Sequence, residues 1–185
     1  NIDSIYYKMK IAICGKMCSG KSTLANHIMR TFPGYQKYSF AKRVKELCVE
    51  LFDMKGKDRE LLITFANSMR DIDPNVWIRQ VLKETKDKEN CIIDDVRYQN
   101  EVNALIHDGW KIIQLEVSPD IQKRRIMKTY PDNYQEHLNK VNHLSEQNLF
   151  LFPDGYPQLN LITDDEHNKQ NIHDVNLLVM KNNVK

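Results

Sequence analysis

The chain has 185 residues, 41% of them hydrophobic and 28% charged, with a formal net charge of +2. These values suit one globular domain with a core of its own. So small a net charge excludes a broad basic surface for nucleic acid or membrane lipid, and any anion site has to be built from a few placed cations. No apolar run approaches membrane-spanning length and no signal-peptide pattern opens the chain. The four cysteines, Cys14, Cys18, Cys48 and Cys91, form no C-x-x-C pair and have no histidines at zinc spacing. Buried thiols in a reducing compartment are expected, hence a cytoplasmic protein.

Met9 stands directly ahead of the first apolar run, so residues 1–8 read as an extension outside the domain. A strand is expected over Lys10–Cys14, then the stretch Gly15-Lys16-Met17-Cys18-Ser19-Gly20-Lys21-Ser22, then a helix over Lys21–Thr31. The middle stretch fulfils G-x4-G-K-[ST], and the strand before it and helix after it supply the context that the motif needs. Backbone N–H groups of such a loop turn inward as a nest for phosphate oxygens, and the helix N-terminus adds its positive end. The expected nucleotide-binding residues are Gly15, Ser19, Gly20, Lys21, Ser22 and Thr23. Lys21 would sit on the β- and γ-phosphates of ATP, and the Ser22 hydroxyl would ligate Mg²⁺.

Further along, a short strand is expected over Tyr35–Phe40 and helices over Ala41–Phe52 and Asp58–Arg70. Asp73-Pro74 reads as a helix start, Asp as N-cap and Pro in the first position, with the helix running to about Lys86. Cys91–Val96 is an apolar third strand, Tyr98–Asp108 a helix, Trp110–Val117 the fourth strand. Ser118-Pro119 opens a helix that reaches Thr129, and a polar excursion follows over about 130–148. Leu159–Thr163 and a helix from about Glu166 to Met180 close the chain. Alternating strands and helices mean a parallel sheet covered on both faces. The expectation is a single α/β domain over 1–185 with a five-stranded parallel sheet. With its phosphate loop the chain resembles P-loop kinases of the nucleotide-kinase type, and that resemblance implies the strand order 2-3-1-4-5, a lid in the excursion and an acceptor-binding region at about 41–86.

An apolar strand ending in Asp is the usual way to bring a carboxylate beside a loop-bound Mg²⁺. In Ile92-Ile93-Asp94-Asp95-Val96-Arg97, Asp95 is taken as that ligand. Arg97, two residues on and on the same side of an extended chain, is taken as a cation for a second phosphate. Asp94 is expected to point the other way or into a helix cap. Arg43, Lys45 and Arg70 are further candidates around that second phosphate, and Arg124 and Arg125 lie where a helix enters the lid. Adjacent helical positions diverge by about 100°, so one of that last pair is expected to face the donor. No Arg follows Arg125, which leaves Lys128, Lys140, His137 and His143 as the lid's cationic candidates.

The run Asp95-Val96-Arg97-Tyr98-Gln99-Asn100-Glu101 resembles the D-[VT]-R-[FY]-x-N-E segment of phage-type deoxynucleoside monophosphate kinases. Tyr38-Ser39-Phe40-Ala41 with Lys45 is similar to that family's F-A-x-x-[LV]-K stretch. Arg70–Trp77, with Asp73-Pro74-Asn75 inside it, and His143-Leu144-Ser145-Glu146 resemble two further stretches, in the family's order. The resemblance implies transfer of the γ-phosphoryl from ATP, with Mg²⁺, to a deoxynucleoside monophosphate, and it adds Trp77, Asn100 and Glu101 to the acceptor-side candidates, although the apolar neighbours of Trp77 suit a core residue and helix capping accounts equally for a first-turn Glu101. It implies small-molecule nucleotide substrates, no nucleic-acid or membrane partner, and a monomer or homodimer, in a host's cytoplasm if the source is viral. Animal-type phosphomevalonate kinases share much of the pattern and are the alternative enzyme reading. A nucleotide-binding module without transfer is the third.

A phosphate acceptor agrees with the residues themselves. A phosphate monoester has its second pKa near ~6 and is already a dianion at neutral pH, so it needs cations to align it and no general base. A hydroxyl acceptor would want a positioned carboxylate. After the second strand the chain offers Ala41, Lys42, Arg43 and Lys45, which leaves Asp95 as the candidate base.

Overall fold

Five strands carry the architecture: β1 (Lys10–Gly15), β2 (Gln36–Tyr38), β3 (Cys91–Ile93), β4 (Lys111–Glu116) and β5 (Leu159–Ile162). All neighbours pair in parallel in the order β2-β3-β1-β4-β5, the expected 2-3-1-4-5. The computed structural model describes residues 8–141, 150–164 and 166–181. Eight helices are found among them: α1 (Lys21–Thr31), α2 (Phe40–Phe52), α3 (Arg59–Ile72), α4 (Val76–Thr85), α5 (Gln99–His107), α6 (Pro119–Thr129), α7 (Tyr134–Val141) and α8 (Asn168–Lys181).

Parallel pairs need crossover connections, and the helices that supply them cover both faces of the sheet. Alternation along each strand then divides the core. Ile11, Ile13, Ile92, Ile113 and Leu115 face α1 and α8, packing with Leu24, Ile28, Val175 and Val179. Ala12, Cys14, Cys91, Ile93 and Ile112 face the other layer, with Val44, Cys48, Ala66, Trp77, Val81 and Leu105 of α2 to α5.

Most boundaries shift by one to three residues from the sequence reading, and two of the differences bear on the site. The turn Asp73-Pro74-Asn75 precedes α4, so Pro74 is not its first residue. Asp73 Oδ1 instead accepts from Asn75 N at 2.9 Å, an Asx turn that consumes the expected cap. β3 stops at Ile93 rather than Val96, because the carboxylates that follow turn to other partners. The described part of the expected lid is the turn after Tyr130 together with α7, with the Tyr130 and His137 rings stacked at 3.8 Å. His137 is thus buried rather than offered to phosphate. His143–Glu146 lie outside the described residues. No helix of the described residues is long and apolar enough to cross a membrane.

Candidate active site

β1 delivers the chain into the loop at Gly15, whose φ of +147 suits glycine. A Cβ there would lie 2.6 Å from Ser19 Oγ and 2.8 Å from the Leu115 carbonyl, so any side chain would force its neighbours to shift. Ser19 N bonds the Lys16 carbonyl at 3.1 Å to close the loop, and Gly20, φ +101, caps α1. Ser19 itself is buried, with an Oγ that finds no hydrogen-bond partner among the described residues. Lys21 arches back, donating from Nζ to the carbonyls of Gly15 (2.6 Å) and Lys16 (2.8 Å). Its ammonium is therefore held over the concavity that would receive phosphates. Thr23 is exposed in the first turn of α1.

The loop is anchored from α6. Gln122 Nε2 donates to the Met17 carbonyl at 2.9 Å. Arg125 Nη1 donates to the Cys18 carbonyl and to Thr163 Oγ1, each at 3.3 Å. Of the two candidate arginines Arg125 is the one at the loop; Arg124, about 100° away round the helix, is exposed.

The carboxylates after β3 reverse their expected roles. Ser22 Oγ donates to Asp94 Oδ2 at 2.8 Å. Asp95 instead turns to the start of α2, accepting from Ser39 Oγ (2.6 Å), Phe40 N (3.1 Å) and Ala41 N (3.0 Å). Parity explains the exchange: Asp94 continues the face of Ile92 toward α1, where Ser22 sits, and Asp95 the face of Ile93 toward α2. The carboxylate beside the loop serine is Asp94, not Asp95. A hydroxyl and a carboxylate are hard oxygen donors of the kind Mg²⁺ takes from protein, its remaining positions going to water and phosphate. Among the described residues no group of three or more His, Cys, Asp or Glu could hold an ion without such help. Lys37 Nζ also reaches Asp94 Oδ2, at 2.6 Å.

On the acceptor side the structure separates cations from scaffolding. The Lys57 ammonium is held below the ordinary lysine value, by partial desolvation first and then by the positive charges of Arg59, Lys45 and Arg97. Lys45 of α2, Arg59 of α3 and Arg97 after β3 thus lie near enough to Lys57 for their charges to disfavour its own, a local concentration of cations that would suit an anion. Lys57 and Arg59 escaped the sequence reading; their signal was a pair of cations just past Gly56. Arg70 stacks its guanidinium 4.6 Å from the Tyr98 ring centre and lies 3.9 Å from Glu101 Oε1, behind this group. Arg43 is corrected to an exposed ion pair with Glu46 along its own helix, at 3.3 Å.

Three acceptor-side candidates are structural. Trp77 is 2% exposed, with Nε1 donating to the Ala66 carbonyl at 3.1 Å and Phe65 centred 6.0 Å away, so it belongs to the core. Asn100 Nδ2 bonds the Pro74 carbonyl and Asn75 Oδ1, both at 3.1 Å, tying α5 to the start of α4. Glu101, 3% exposed, accepts from the backbone N–H groups of Arg97 (2.7 Å) and Tyr98 (3.1 Å) as the acidic half of a capping box. Burial pushes its carboxyl up to about 7, against the lowering effect of those hydrogen bonds and of Arg70. Glu101 thereby fixes the backbone that carries Arg97.

A 2-3-1-4-5 parallel sheet with a glycine-lysine-serine loop between β1 and α1 defines a P-loop domain of the nucleotide-kinase type. The chain belongs to the AAA domain family, whose model matches residues 11–146. A comparison with curated proteins gives no match. Among solved structures, a gluconokinase from Sinorhizobium meliloti 1021 is similar with a TM-score of 0.58 at 13% identity over 95% of each chain. A shikimate kinase from Aquifex aeolicus gives 0.53 at 16% over 94% of this chain and 98% of that one. A shikimate kinase from Acinetobacter baumannii, in complex with shikimate, gives 0.52 at 14% over 96% of each. At these identities the likeness establishes the fold.

Proposed function

We propose that this protein transfers the γ-phosphoryl group of ATP to the phosphate of a nucleoside monophosphate, most fittingly a deoxynucleotide, in one in-line step. The observation that carries the reading is the pairing of a phosphate loop with a cationic bank whose candidate base, Asp95, is engaged elsewhere. Asp95, the candidate base, spends both oxygens on Ser39 and the start of α2. A hydroxyl acceptor would have to be deprotonated by such a group, whereas a phosphate dianion needs only to be held and shielded. In this reading Lys45, Lys57, Arg59 and Arg97 hold the acceptor phosphate, with Arg70 setting the loop that carries Arg97. Lys21 and Arg125 hold the donor phosphates with the loop N–H groups of Gly15 to Thr23. Ser22 and Asp94 would hold Mg²⁺, which supplies charge neutralisation between donor and acceptor oxygens. The resemblance around Asp95–Glu101 favours a nucleotide as the acceptor.

The withdrawal of Trp77 and Asn100 into scaffolding favours a second reading, a phosphomevalonate-type small-molecule phosphate acceptor, since the bank would suit any phosphate monoester. An ADP-release assay over the four common dNMPs, the NMPs and phosphomevalonate separates the two. Hydrolysis of ATP that no monophosphate stimulates would sink both. Lys21→Ala is expected to abolish transfer. Arg97→Ala should raise the acceptor KM by about 10–100-fold, the scale of one lost charge-assisted contact, with the KM for ATP little changed.

A further inference from the structure

One cation in contact with the proposed metal site, Lys37, belongs neither to the loop nor to the acceptor bank. Lys37 lies on β2 opposite Ile92 of β3, so both side chains share the face turned to α1. Asp94, two residues past Ile92, continues that face. Two residues of strand rise about 6.6 Å, a span that an extended lysine side chain covers, and the ammonium arrives 2.6 Å from Asp94 Oδ2. That same oxygen accepts the Ser22 hydroxyl at 2.8 Å. The carboxylate is 7% exposed, while the Lys37 side chain keeps 37% of its surface in solvent. A buried acid is therefore neutralised by a cation on a flexible stem with room to leave.

We propose that Lys37 is a displaceable counter-ion. It holds the Asp94 carboxylate beside Ser22 before nucleotide arrives, and it yields that oxygen when a divalent cation enters with ATP. The inference rests on the reading of Ser22 and Asp94 as the metal-side pair of an ATP-binding loop. One oxygen cannot serve the Ser22 hydroxyl, an ammonium at 2.6 Å and a divalent cation together, since the two cations would repel across a few ångströms in a poorly solvated place. The ammonium is the partner able to move, because Ser22 is fixed by α1. Lys37 thus sets the cost of metal entry and couples it to a side-chain movement at the edge of the acceptor side.

The test is calorimetric titration with ATP, once with Mn²⁺ and once with EDTA, of the wild type, Lys37→Met and Lys37→Gln. Competition for Asp94 predicts that the ratio of ATP affinities with and without Mn²⁺ rises about tenfold in both variants, within the usual range of coupling between sites. It also predicts that metal-free affinities stay the same and that the nucleotide-free variants melt at lower temperature. An unchanged or smaller ratio in a variant that binds ATP would overturn the displacement. Failure of ATP to bind the wild type under either condition would overturn the loop reading, and this proposal with it. Lys37→Gln keeps a neutral donor near Asp94, so the comparison survives if Lys37→Met does not fold.

Discussion

At Gly15 two independent constraints meet: a backbone φ of +147 and a Cβ position 2.6 Å from Ser19 Oγ and 2.8 Å from the Leu115 carbonyl. Gly20 meets only the first, since nothing lies within 4 Å of its missing Cβ. Gly15→Ala is therefore expected to lower stability by about 1–3 kcal/mol through overpacking, with the φ strain added to that. Gly20→Ala should cost less in stability and act chiefly on nucleotide binding, because the open space beside Gly20 is where phosphate would approach. Urea midpoints for the two variants check this, and equal losses would refute the distinction. The same scale governs Asp94 and Asp95. They are neighbours in the chain, yet a period of two sends one to Ser22 and the other to Ser39.

At the scale of elements, the segment between β3 and α5 is organised by Glu101. Its buried carboxylate receives the N–H groups of Arg97 and Tyr98, while Arg70 stands at 3.9 Å. Burial raises its pKa from 4.5 to about 7, so the folded state binds this proton more tightly than the unfolded chain does. The resulting contribution is fully present below about 4.5 and is lost as pH rises through about 7, a change of order 3 kcal/mol. Glu101→Gln should flatten the pH dependence of stability between those values, as read by urea midpoints from pH 5 to 8. An identical slope in variant and wild type would show that the carboxyl does not titrate there. Helix α4 makes a complementary point: its Trp77 is a core residue, hydrogen-bonded to Ala66 of α3. Trp77→Phe is expected to cost stability through the lost Nε1 hydrogen bond and the vacated volume, by about 1–3 kcal/mol. The acceptor KM should stay unchanged, and a large rise in it would return Trp77 to the acceptor site.

Over the whole molecule, the loop gathers contacts from distant parts of the chain. Arg125 joins it to α6 and to Thr163 beyond β5, Gln122 holds Met17, and Asp94 brings in β3. Nucleotide bound there would stabilise elements from every part of the sheet at once. ATP with Mg²⁺ at 100 times its Kd is expected to add about 2.7 kcal/mol, which for a chain of this size raises Tm by about 5–10 °C. Lys21→Ala should lose most of that shift, and differential scanning fluorimetry reads both. A full shift in the variant would remove Lys21 from the donor site.

The amino-acid sequence by itself determined the phosphate loop with its flanking strand and helix and the approximate span of α1, while the strand order came from the likeness of that unit to the nucleotide-kinase fold. Loop, strand and helix follow from local signals, namely apolar runs, glycines at fixed spacing and a capped helix start, which act over a few residues and need no partner. Family-like spacing also marked out Arg97 and Lys45. Tertiary structure alone decided which of two adjacent aspartates meets Ser22, because that depends on which face of the sheet α1 covers. It settled the choice the sequence had left open for Trp77 and Glu101, in favour of core and cap, and it showed Asn100 tying α5 to α4, because the partners Ala66, Pro74 and the Arg97 backbone are supplied by packing. It brought Lys57 within the field of Lys45, Arg59 and Arg97, and Lys37 to Asp94 across 57 positions of chain. A charge declares its type in sequence, but the group it neutralises or repels is chosen only when the sheet and its helices are assembled.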